Sequence, residues 1–200
     1  MNHYYTNNSE LESEPNTFTF KYKGEQISFT SDIGVFSKNM IDYGSRVMLD
    51  AIQINNNQNK VLDVGCGYGT FGISLKKVYP HIKVDMVDVN DRALLLCKNN
   101  VEQNHLSDIN VFKSYIYEAI TDKYDIILTN PPIRAGKEVV HKILEESYQY
   151  LNTNGELWVV IQKKQGAPST KKKMQEVFNN VEIVKKDKGY YILKSKKAPL

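Results

Sequence analysis

The chain has 200 residues, of which 41% are hydrophobic, and a formal net charge of +3. This composition predicts one domain with an ordinary core. No apolar stretch approaches the roughly 18–20 residues needed to span a bilayer, and the polar, acidic N-terminus lacks the pattern of a signal peptide. Cys66 and Cys97 are the only cysteines and have no metal-binding or redox spacing. We therefore expect reduced thiols in a cytoplasmic protein that holds no metal.

Charge is unevenly distributed along the sequence. From residue 163 to the end there are eleven lysines and three acidic residues, a net charge of +8, whereas residues 1–162 carry a net charge of −5. A basic region on an otherwise acidic chain favours a polyanionic partner such as nucleic acid. A solvated lysine-rich surface explains the same counts equally well, so the charge alone does not choose between the two interpretations.

The N-terminal part of the sequence predicts a flexible segment, a small hairpin and a helix. Residues 1–17 are rich in Asn, Ser and Glu, a composition typical of disorder. Alternating apolar and polar residues predict a β-hairpin over residues 18–30 that turns at Lys23-Gly24-Glu25. A helix is predicted over residues 45–54, because its apolar residues fall on one face.

From Lys60 onward, short apolar runs alternate with segments of helical periodicity. Strands are predicted over residues 61–64, 84–87, 109–112, 124–128 and 156–162. Helices are predicted over residues 70–78, 91–104, 137–151 and, capped by Ser169 or Thr170, up to Phe178. A last antiparallel hairpin is predicted over residues 181–195, turning at Asp187-Lys188-Gly189.

This alternation predicts an α/β fold. We expect a Rossmann-like, mostly parallel sheet of seven strands with a C-terminal antiparallel hairpin and helices on both faces. A single domain is expected over residues 18–200, with the N-terminal hairpin and helix over 18–59 and the core over 60–200. Ligands of such sheets bind beyond the carboxyl ends of the strands, where the strand order reverses.

A glycine-rich turn, residues 63–69, follows the first strand of the core and opens a helix. Glycine lets the backbone turn tightly and approach a ligand closely. Its glycines fall at i, i+2 and i+4, whereas the dinucleotide fingerprint requires the third at i+5, where Thr70 stands. Asp63, two residues before the first glycine, suits a cationic ligand better than a pyrophosphate. A plain turn is the alternative interpretation.

Polar residues also follow the second and third strands of the core. Asp88 ends the second strand, and its carboxylate can accept hydrogen bonds from ribose hydroxyls. It could instead cap the following helix, although Asn90-Asp91 could serve that role. Ser114 and Tyr115 end the third strand, where they are placed to flank an adenine. Tyr115 could equally pack against the neighbouring loop.

The tetrapeptide Asn130-Pro131-Pro132-Ile133 follows the apolar run of the fourth strand. Pro131 fixes its own φ and biases Asn130 away from helical geometry, and Pro132 does the same for Pro131. Such rigidity suits a loop whose Asn side-chain oxygen and proline carbonyl point at one spot. Two such acceptors could grip the N–H groups of an exocyclic base amine and aim its lone pair at a sulfonium methyl group. A simple stop at the strand end is the alternative.

Residues 63–69, Asp88 and the Asn-Pro-Pro sequence resemble the class I S-adenosylmethionine-dependent methyltransferases, and the Asn-Pro-Pro sequence is similar to that of the branch that methylates amino or amide nitrogen. Residues 34–37 (Gly-Val-Phe-Ser) and 42–45 (Asp-Tyr-Gly-Ser) resemble the small-subunit ribosomal RNA guanine-N2 methyltransferases. The resemblance extends from about Phe18 to Lys194. It matches only the catalytic half of that family, whose members often carry an additional N-terminal pseudo-domain.

The resemblance implies S-adenosyl-L-methionine as cofactor and RNA as partner, either ribosomal RNA or the small ribosomal subunit. The target base would be flipped out or lie in a loop. The implied catalytic residues, which hold the target amine, are Asn130, Pro131 and Pro132. The implied cofactor-binding residues are Asp63, Gly65, Cys66, Gly67, Gly69, Asp88, Val89, Ser114, Tyr115 and Asn130. The implied substrate-binding residues are Phe36, Ser37, Gly44, Ile133, Arg134, Lys137, Lys163 and Lys164.

One position departs from the family pattern. The last residue of the tetrapeptide is commonly an aromatic that stacks on the base, and here it is Ile133. Stacking on a base contributes roughly 1–3 kcal/mol, so we expect another ring, that of Phe36, to supply it. The departure leaves guanine and adenine both open as targets.

Other functions stay open at this point. A nicotinamide-dependent oxidoreductase would require the missing glycine and gives the Asn-Pro-Pro loop no role. A protein glutamine methyltransferase or an adenine-N6 methyltransferase would use the loop on the same logic, and a non-catalytic RNA-binding module would retain only the fold. The four histidines fall at polar ends or on helix surfaces, where they assemble no nucleophilic triad. We expect a monomer.

Overall fold

The computed structural model of the protein describes residues 12–32 and 40–200. Its strands are β1 (Asn16–Tyr22), β2 (Glu25–Ser31), β3 (Lys60–Val64), β4 (Lys83–Asp88), β5 (Ile109–Lys113), β6 (Tyr124–Thr129), β7 (Leu151–Gln162), β8 (Glu182–Asp187) and β9 (Tyr190–Lys196). Its helices are α1 (Tyr43–Ala51), α2 (Thr70–Val78), α3 (Asp91–Gln103), α4 (Lys137–Tyr150) and α5 (Ala167–Phe178). Short 3₁₀ turns lie over Ile133–Ala135 and Lys163–Gln165.

Seven strands form one sheet in the order β5-β4-β3-β6-β7-β9-β8. Neighbouring strands from β5 to β7 run parallel, whereas β9 is antiparallel to both β7 and β8. The predicted α/β fold with a C-terminal antiparallel hairpin is therefore confirmed. The order reverses between β3 and β6, so the loops after these two strands meet at the point where such sheets bind ligands.

Alternate residues of the central strands pack on opposite faces of the sheet. In β3, Val61 belongs to the apolar cluster that includes α1, α2 and α3, whereas Leu62 belongs to the cluster that includes α4 and α5. This follows from the two-residue period of a strand. Because both faces are covered by helices, the strands read as continuous apolar runs rather than as alternating patterns.

The N-terminal hairpin is attached to α3 by two asparagine side chains. Asn100 accepts from the backbone N–H of Thr30 at 2.8 Å and donates to its carbonyl at 3.0 Å. Asn104, one helical turn later, pairs with Ser28 in the same way at 3.0 and 2.7 Å. Four helical residues rise about 6 Å, close to the two-residue spacing of a strand. The side-chain amides thus cover the edge of β2 as a neighbouring strand would.

Several predicted boundaries need correction. The helix predicted over 45–54 is α1, which begins two residues earlier because the Asp42 side chain caps it by accepting from Ser45 N at 3.0 Å. The predicted cap of α5 at Ser169 or Thr170 is wrong, because Gly166 precedes the helix in the left-handed region and proline occupies its first turn. Residues 152–155, predicted to separate a helix from a strand, lie within β7 as an irregular start.

No helix in residues 12–32 or 40–200 combines the length and the apolar character needed to cross a membrane.

Candidate active site

The glycine-rich turn joins β3 to α2 and is held against the end of β4. Gly65 N and Cys66 N both donate to the carbonyl of Val87 at 2.9 Å. Gly65 has a φ of +75°, and a Cβ built on it would have no atom within 4 Å. Side-chain crowding therefore does not explain the glycine, whereas a left-handed backbone that faces open space does. Such a turn allows a ligand to approach the backbone closely.

Asp88 closes the end of β4 beside this turn. Its Oδ2 accepts from Gly67 N at 2.9 Å and its Oδ1 accepts from Asn90 N at 3.0 Å. The following helix, α3, is capped by Asn90, whose side chain accepts from Ala93 N at 2.9 Å. The alternative role of Asp88 as the helix cap is therefore excluded. Its carboxylate is instead oriented by the backbone amides of Gly67 and Asn90 at the predicted ribose position.

Asp63 is the second buried acid at this edge, and its surroundings differ from those of Asp88. Its side chain is 1% exposed and accepts one long hydrogen bond, 3.4 Å from Gly72 N. Burial raises the pKa of Asp63 to about 7, with a further contribution from the negative charge of Asp88. No lysine, arginine or histidine of the described chain forms an ion pair with it. A cationic ligand group nearby would stabilise the ionised form.

Three other predicted cofactor residues lie near these acids. The buried Cys66 thiol donates to the Gly67 carbonyl at 3.6 Å, and burial raises its pKa well above the usual value, so this residue contributes backbone rather than a thiolate. The Ser114 hydroxyl donates to Ile116 O at 2.9 Å and accepts from Ala119 N at 3.1 Å, so it stabilises its own turn. The Tyr115 ring is 38% exposed, with Lys142 Nζ 5.3 Å from its centroid. Their contact with an adenine stays a prediction.

Asn130 follows β6, the neighbour of β3. Val64 pairs with Thr129, and the Thr129 hydroxyl donates to the Val64 carbonyl at 3.0 Å. Gly65 and Asn130 are therefore the next residues along two adjacent strands. The Asn130 side chain donates through Nδ2 to Asp42 Oδ2 at 3.0 Å and to Ser45 Oγ at 3.2 Å. These two partners are not among the functional residues predicted from the sequence, because they lie 88 and 85 positions from Asn130.

The start of α1, which carries both partners, is packed tightly against the rest of the sheet. A Cβ on Gly44 would lie 2.5 Å from Tyr190 Cδ1, so only glycine allows α1 to approach β9 this closely. The Tyr43 hydroxyl donates to Asp187 Oδ2 at 2.7 Å, which raises its pKa. The Gly44 contact seen here is thus one of packing, and its contact with cofactor or base stays a prediction. Phe36 and Ser37 lie outside the described residues.

Exposed basic side chains surround the carboxyl ends of β6 and β7. The predicted members are Arg134, Lys137, Lys163 and Lys164, all exposed. The structure adds Lys188, because Lys163 N donates to the Gly189 carbonyl at 2.8 Å and so brings the β8–β9 turn to this edge. Lys188 Nζ lies 5.0 Å from the centroid of Tyr43. Ile133, in contrast, is partly buried against the apolar cluster below α4.

Solved structures that superpose on this chain include methyltransferases. The chain superposes on the T. thermophilus 16S rRNA N2 G1207 methyltransferase (RsmC) in complex with AdoMet and guanosine with a TM-score of 0.83, at 25% identity over 94% of this chain and 52% of that one. A methyltransferase from Pyrococcus furiosus shares the fold with a TM-score of 0.71, at 21% identity over 84% of this chain and 91% of that one. Fold and site define an S-adenosylmethionine-dependent methyltransferase.

The family can be stated more narrowly. The model of the methyltransferase small domain matches residues 26–194, so the chain belongs to that family. It is 45% identical to the uncharacterized protein YbxB of Bacillus subtilis (strain 168) over 98% of both chains. It is 33% identical to ribosomal RNA small subunit methyltransferase C of Vibrio parahaemolyticus over 88% of this chain and 51% of that protein. The chain spans about half the length of the ribosomal RNA methyltransferases that it matches.

The cofactor of this class, S-adenosylmethionine, fits the residues present. Open space lies in front of Gly65, the carboxyl group of Asp63 has no cationic partner in the described chain, and Asp88 presents an oriented carboxylate beside both. The open space at Gly65 would allow the amino acid part of the cofactor to approach the backbone, and Asp63 suits its ammonium group. The Asp88 carboxylate suits ribose hydroxyls.

Proposed function

We propose that this protein transfers a methyl group from S-adenosylmethionine to an exocyclic amine of a base in RNA, with guanine N2 of small-subunit ribosomal RNA as the favoured target. The observation that carries the proposal is that Gly65 and Asn130 directly follow Val64 and Thr129, which pair at the ends of two adjacent parallel strands. It puts a cofactor turn next to a side chain that can accept hydrogen bonds from an amine.

The loop after β6 offers acceptors. Pro131 and Pro132 have no backbone N–H, so neither can donate to a ligand. The Pro132 carbonyl already accepts from Ala135 N at 2.9 Å. We therefore assign Asn130 Oδ1 and the Pro131 carbonyl to the two N–H groups of the target amine. This grip orients the nitrogen lone pair, and no strong base is needed to form the new bond.

The other residues divide into cofactor and RNA contacts. Asp63 would face the cofactor ammonium and Asp88 its ribose. When bound, the cofactor supplies an electrophilic methyl group on its sulfonium. Exposed lysines at the carboxyl edge, Lys163, Lys164 and Lys188, would contact phosphates, which fixes the position of the RNA without reading its sequence. Relatives named as ribosomal RNA small subunit methyltransferases support this choice of substrate.

The test is transfer of labelled methyl from S-adenosylmethionine to ribosomal subunits, naked ribosomal RNA, DNA and protein extract in parallel, with Asn130→Ala as the control enzyme. We expect label in RNA that digestion identifies as N2-methylguanosine. Label recovered as N6-methyladenosine would correct the base. Label on protein glutamine would contradict the RNA assignment while leaving the amine-gripping loop in place.

A further inference from the structure

We propose that Asp42, assisted by Ser45, is a positioning residue that sets the direction of the Asn130 amide and so restricts the site to target groups that donate hydrogen bonds. The inference rests on the proposed function, in which Asn130 grips an amine. It assigns a role to the start of α1, a segment 85 to 88 residues before Asn130 in the sequence.

The chemistry of the two partners determines which end of the amide they hold. A carboxylate can only accept hydrogen bonds. Asp42 Oδ2 accepts three: from Ser45 N at 3.0 Å, from Ser45 Oγ at 3.0 Å and from Asn130 Nδ2 at 3.0 Å. The single hydroxyl hydrogen of Ser45 is used in the second of these, so its oxygen can only accept from Asn130, at 3.2 Å.

Rotating the Asn130 amide by half a turn is therefore unfavourable. It would turn Oδ1 toward the Asp42 carboxylate, which can only accept, and replace that attractive contact by a repulsive one. The Ser45 hydroxyl could donate to Oδ1 only by giving up its own hydrogen bond to Asp42. The amide accordingly presents its NH₂ group to α1 and its carbonyl oxygen away from α1. No donor in the described chain forms a hydrogen bond to that oxygen, so it is available to a ligand. An available acceptor selects an N–H donor and disfavours a target carbonyl or ring nitrogen.

The position of Asp42 is fixed by its contacts with neighbouring elements. Asp42 is the residue that caps α1, and Gly44 lets that helix pack directly on Tyr190. Met40, two residues before Asp42, is also held, because the Tyr68 hydroxyl in the glycine-rich turn donates to its carbonyl at 3.4 Å. The position of Asp42 is thus determined by the sheet and by the cofactor turn together. Its bond to Asn130 is charge-assisted and roughly twice as strong as a neutral one.

A serine at position 42 separates the two roles of Asp42. Serine caps a helix about as well as aspartate, but its side chain is shorter and should not reach Asn130. We expect Asp42→Ser to lower kcat for RNA methylation about 10- to 100-fold. The dissociation constant for S-adenosylmethionine and the thermal midpoint should stay close to those of the wild type. Asp42→Asn, which can keep an oxygen in place, should restore part of the loss.

The decisive measurement is a double-mutant cycle with Asn130→Ala. If Asp42 acts through Asn130, then Asp42→Ser should cost nothing further in the Asn130→Ala background. Asp50→Ser, which removes an exposed acid at the other end of the same helix, is the matched control and should leave kcat unchanged.

Two results would overturn the positioning role while leaving the proposed function standing. They are wild-type kcat in Asp42→Ser when Asn130→Ala is inactive, and an equal loss from Asp42→Ser in both backgrounds. Full activity of Asn130→Ala would instead refute the amine grip itself, and the positioning role with it.

Discussion

The two halves of the active site are constructed in opposite ways, although they lie side by side at the carboxyl edge of the sheet. The start of the glycine-rich turn is held by backbone N–H groups that donate to Val87 and Asp88, 21 or 22 residues away in sequence, and Tyr68 in the turn bonds to Met40 and Asn100, 28 and 32 residues away. The Asn130 side chain is held by residues 85 and 88 positions away. The proposed cofactor turn is thus held by segments nearer in sequence, whereas the orientation of Asn130, the proposed target-binding residue, depends on a contact between distant segments.

The largest expected effect comes from a substitution at Asn130, which should impair binding of the target amine and leave cofactor binding intact. Asn130→Ala should lower the rate of methyl transfer by about 100- to 1000-fold, the magnitude typical of losing one oriented polar group at the reacting centre. The cofactor dissociation constant should change little, because the turn after β3 is held independently. Single-turnover transfer and calorimetric titration of the cofactor give the two quantities. A parallel loss of cofactor affinity would show that the halves are not separable.

The converse substitution, at Asp88, should weaken cofactor binding and leave the methyl-transfer step intact. Asp88→Ala removes the acceptor held by Gly67 N and Asn90 N, and we expect cofactor affinity to fall about 10- to 100-fold. At saturating cofactor, the rate should stay within a few-fold of the wild type. Asp91→Ala, three residues later and half exposed beside Lys113, is the control. If that exposed acid matters equally, the effect is one of general charge.

A pH titration sharpens the comparison at Asp63, whose pKa is raised to about 7. Because the value in the unfolded chain is about 4, the folded apo-protein holds the extra proton between about pH 4 and pH 7. The free energy of unfolding should therefore fall as pH rises through this window, by at most about 1.4 kcal/mol per pH unit, and level off above pH 7. Denaturant unfolding at several pH values measures it, and Asp63→Asn should abolish this part of the slope.

The same group predicts how cofactor affinity varies with pH. A cationic ligand prefers the ionised form of Asp63, so affinity should rise with pH up to about 7, by at most tenfold per pH unit. Asp63→Asn should give a flat profile over the same range. A profile in the wild type that is already flat would mean that no cationic group binds near this carboxylate.

The smallest expected effect concerns Lys163 and Lys164, the exposed lysines after β7 that are proposed to contact RNA phosphates. Lys163→Gln with Lys164→Gln should reduce the slope of log affinity against log salt by about 1.4, since each phosphate contact to single-stranded RNA contributes roughly 0.7. Lys83→Gln with Lys123→Gln removes the same charge from exposed positions at the opposite, amino-terminal edge and should leave the slope unchanged. Equal effects from both pairs would mean that RNA binding depends on the total charge of the protein and not specifically on Lys163 and Lys164.

Sequence patterns predicted the sheet well because strands, turns and helix caps are indicated by residues that are close together in the sequence. The apolar runs, the glycine turn and the asparagine cap of α3 each report on a few neighbouring residues, and α2 matches its predicted range of 70–78. The start of α5 was misplaced because the polar residues Ser169 and Thr170 resemble a cap, whereas Gly166 in the left-handed region already starts the helix.

The rest of the site could not be read from the sequence, because its contacts join distant segments. Nothing local to Asp42 indicates that it faces Asn130, and the packing of Gly44 on Tyr190 joins α1 to the last strand of the chain. A glycine in a sequence motif can be required for different physical reasons. Gly65 faces open space, whereas Gly44 faces a tyrosine ring, and only the structure separates the two.

The hydrogen bonds from Asn100 and Asn104 to the N-terminal hairpin affect how the protein unfolds locally. Asn100 Nδ2 donates to the carbonyl of Tyr68 in the glycine-rich turn at 2.9 Å as well as to that of Thr30. The amide protons of Ser28 and Thr30 bond to α3 side chains, so their exchange with solvent should require α3 to move. Hairpin, α3 and cofactor turn should therefore exchange as one cooperative unit, and cofactor binding should slow exchange in a hairpin that belongs to a separate sheet.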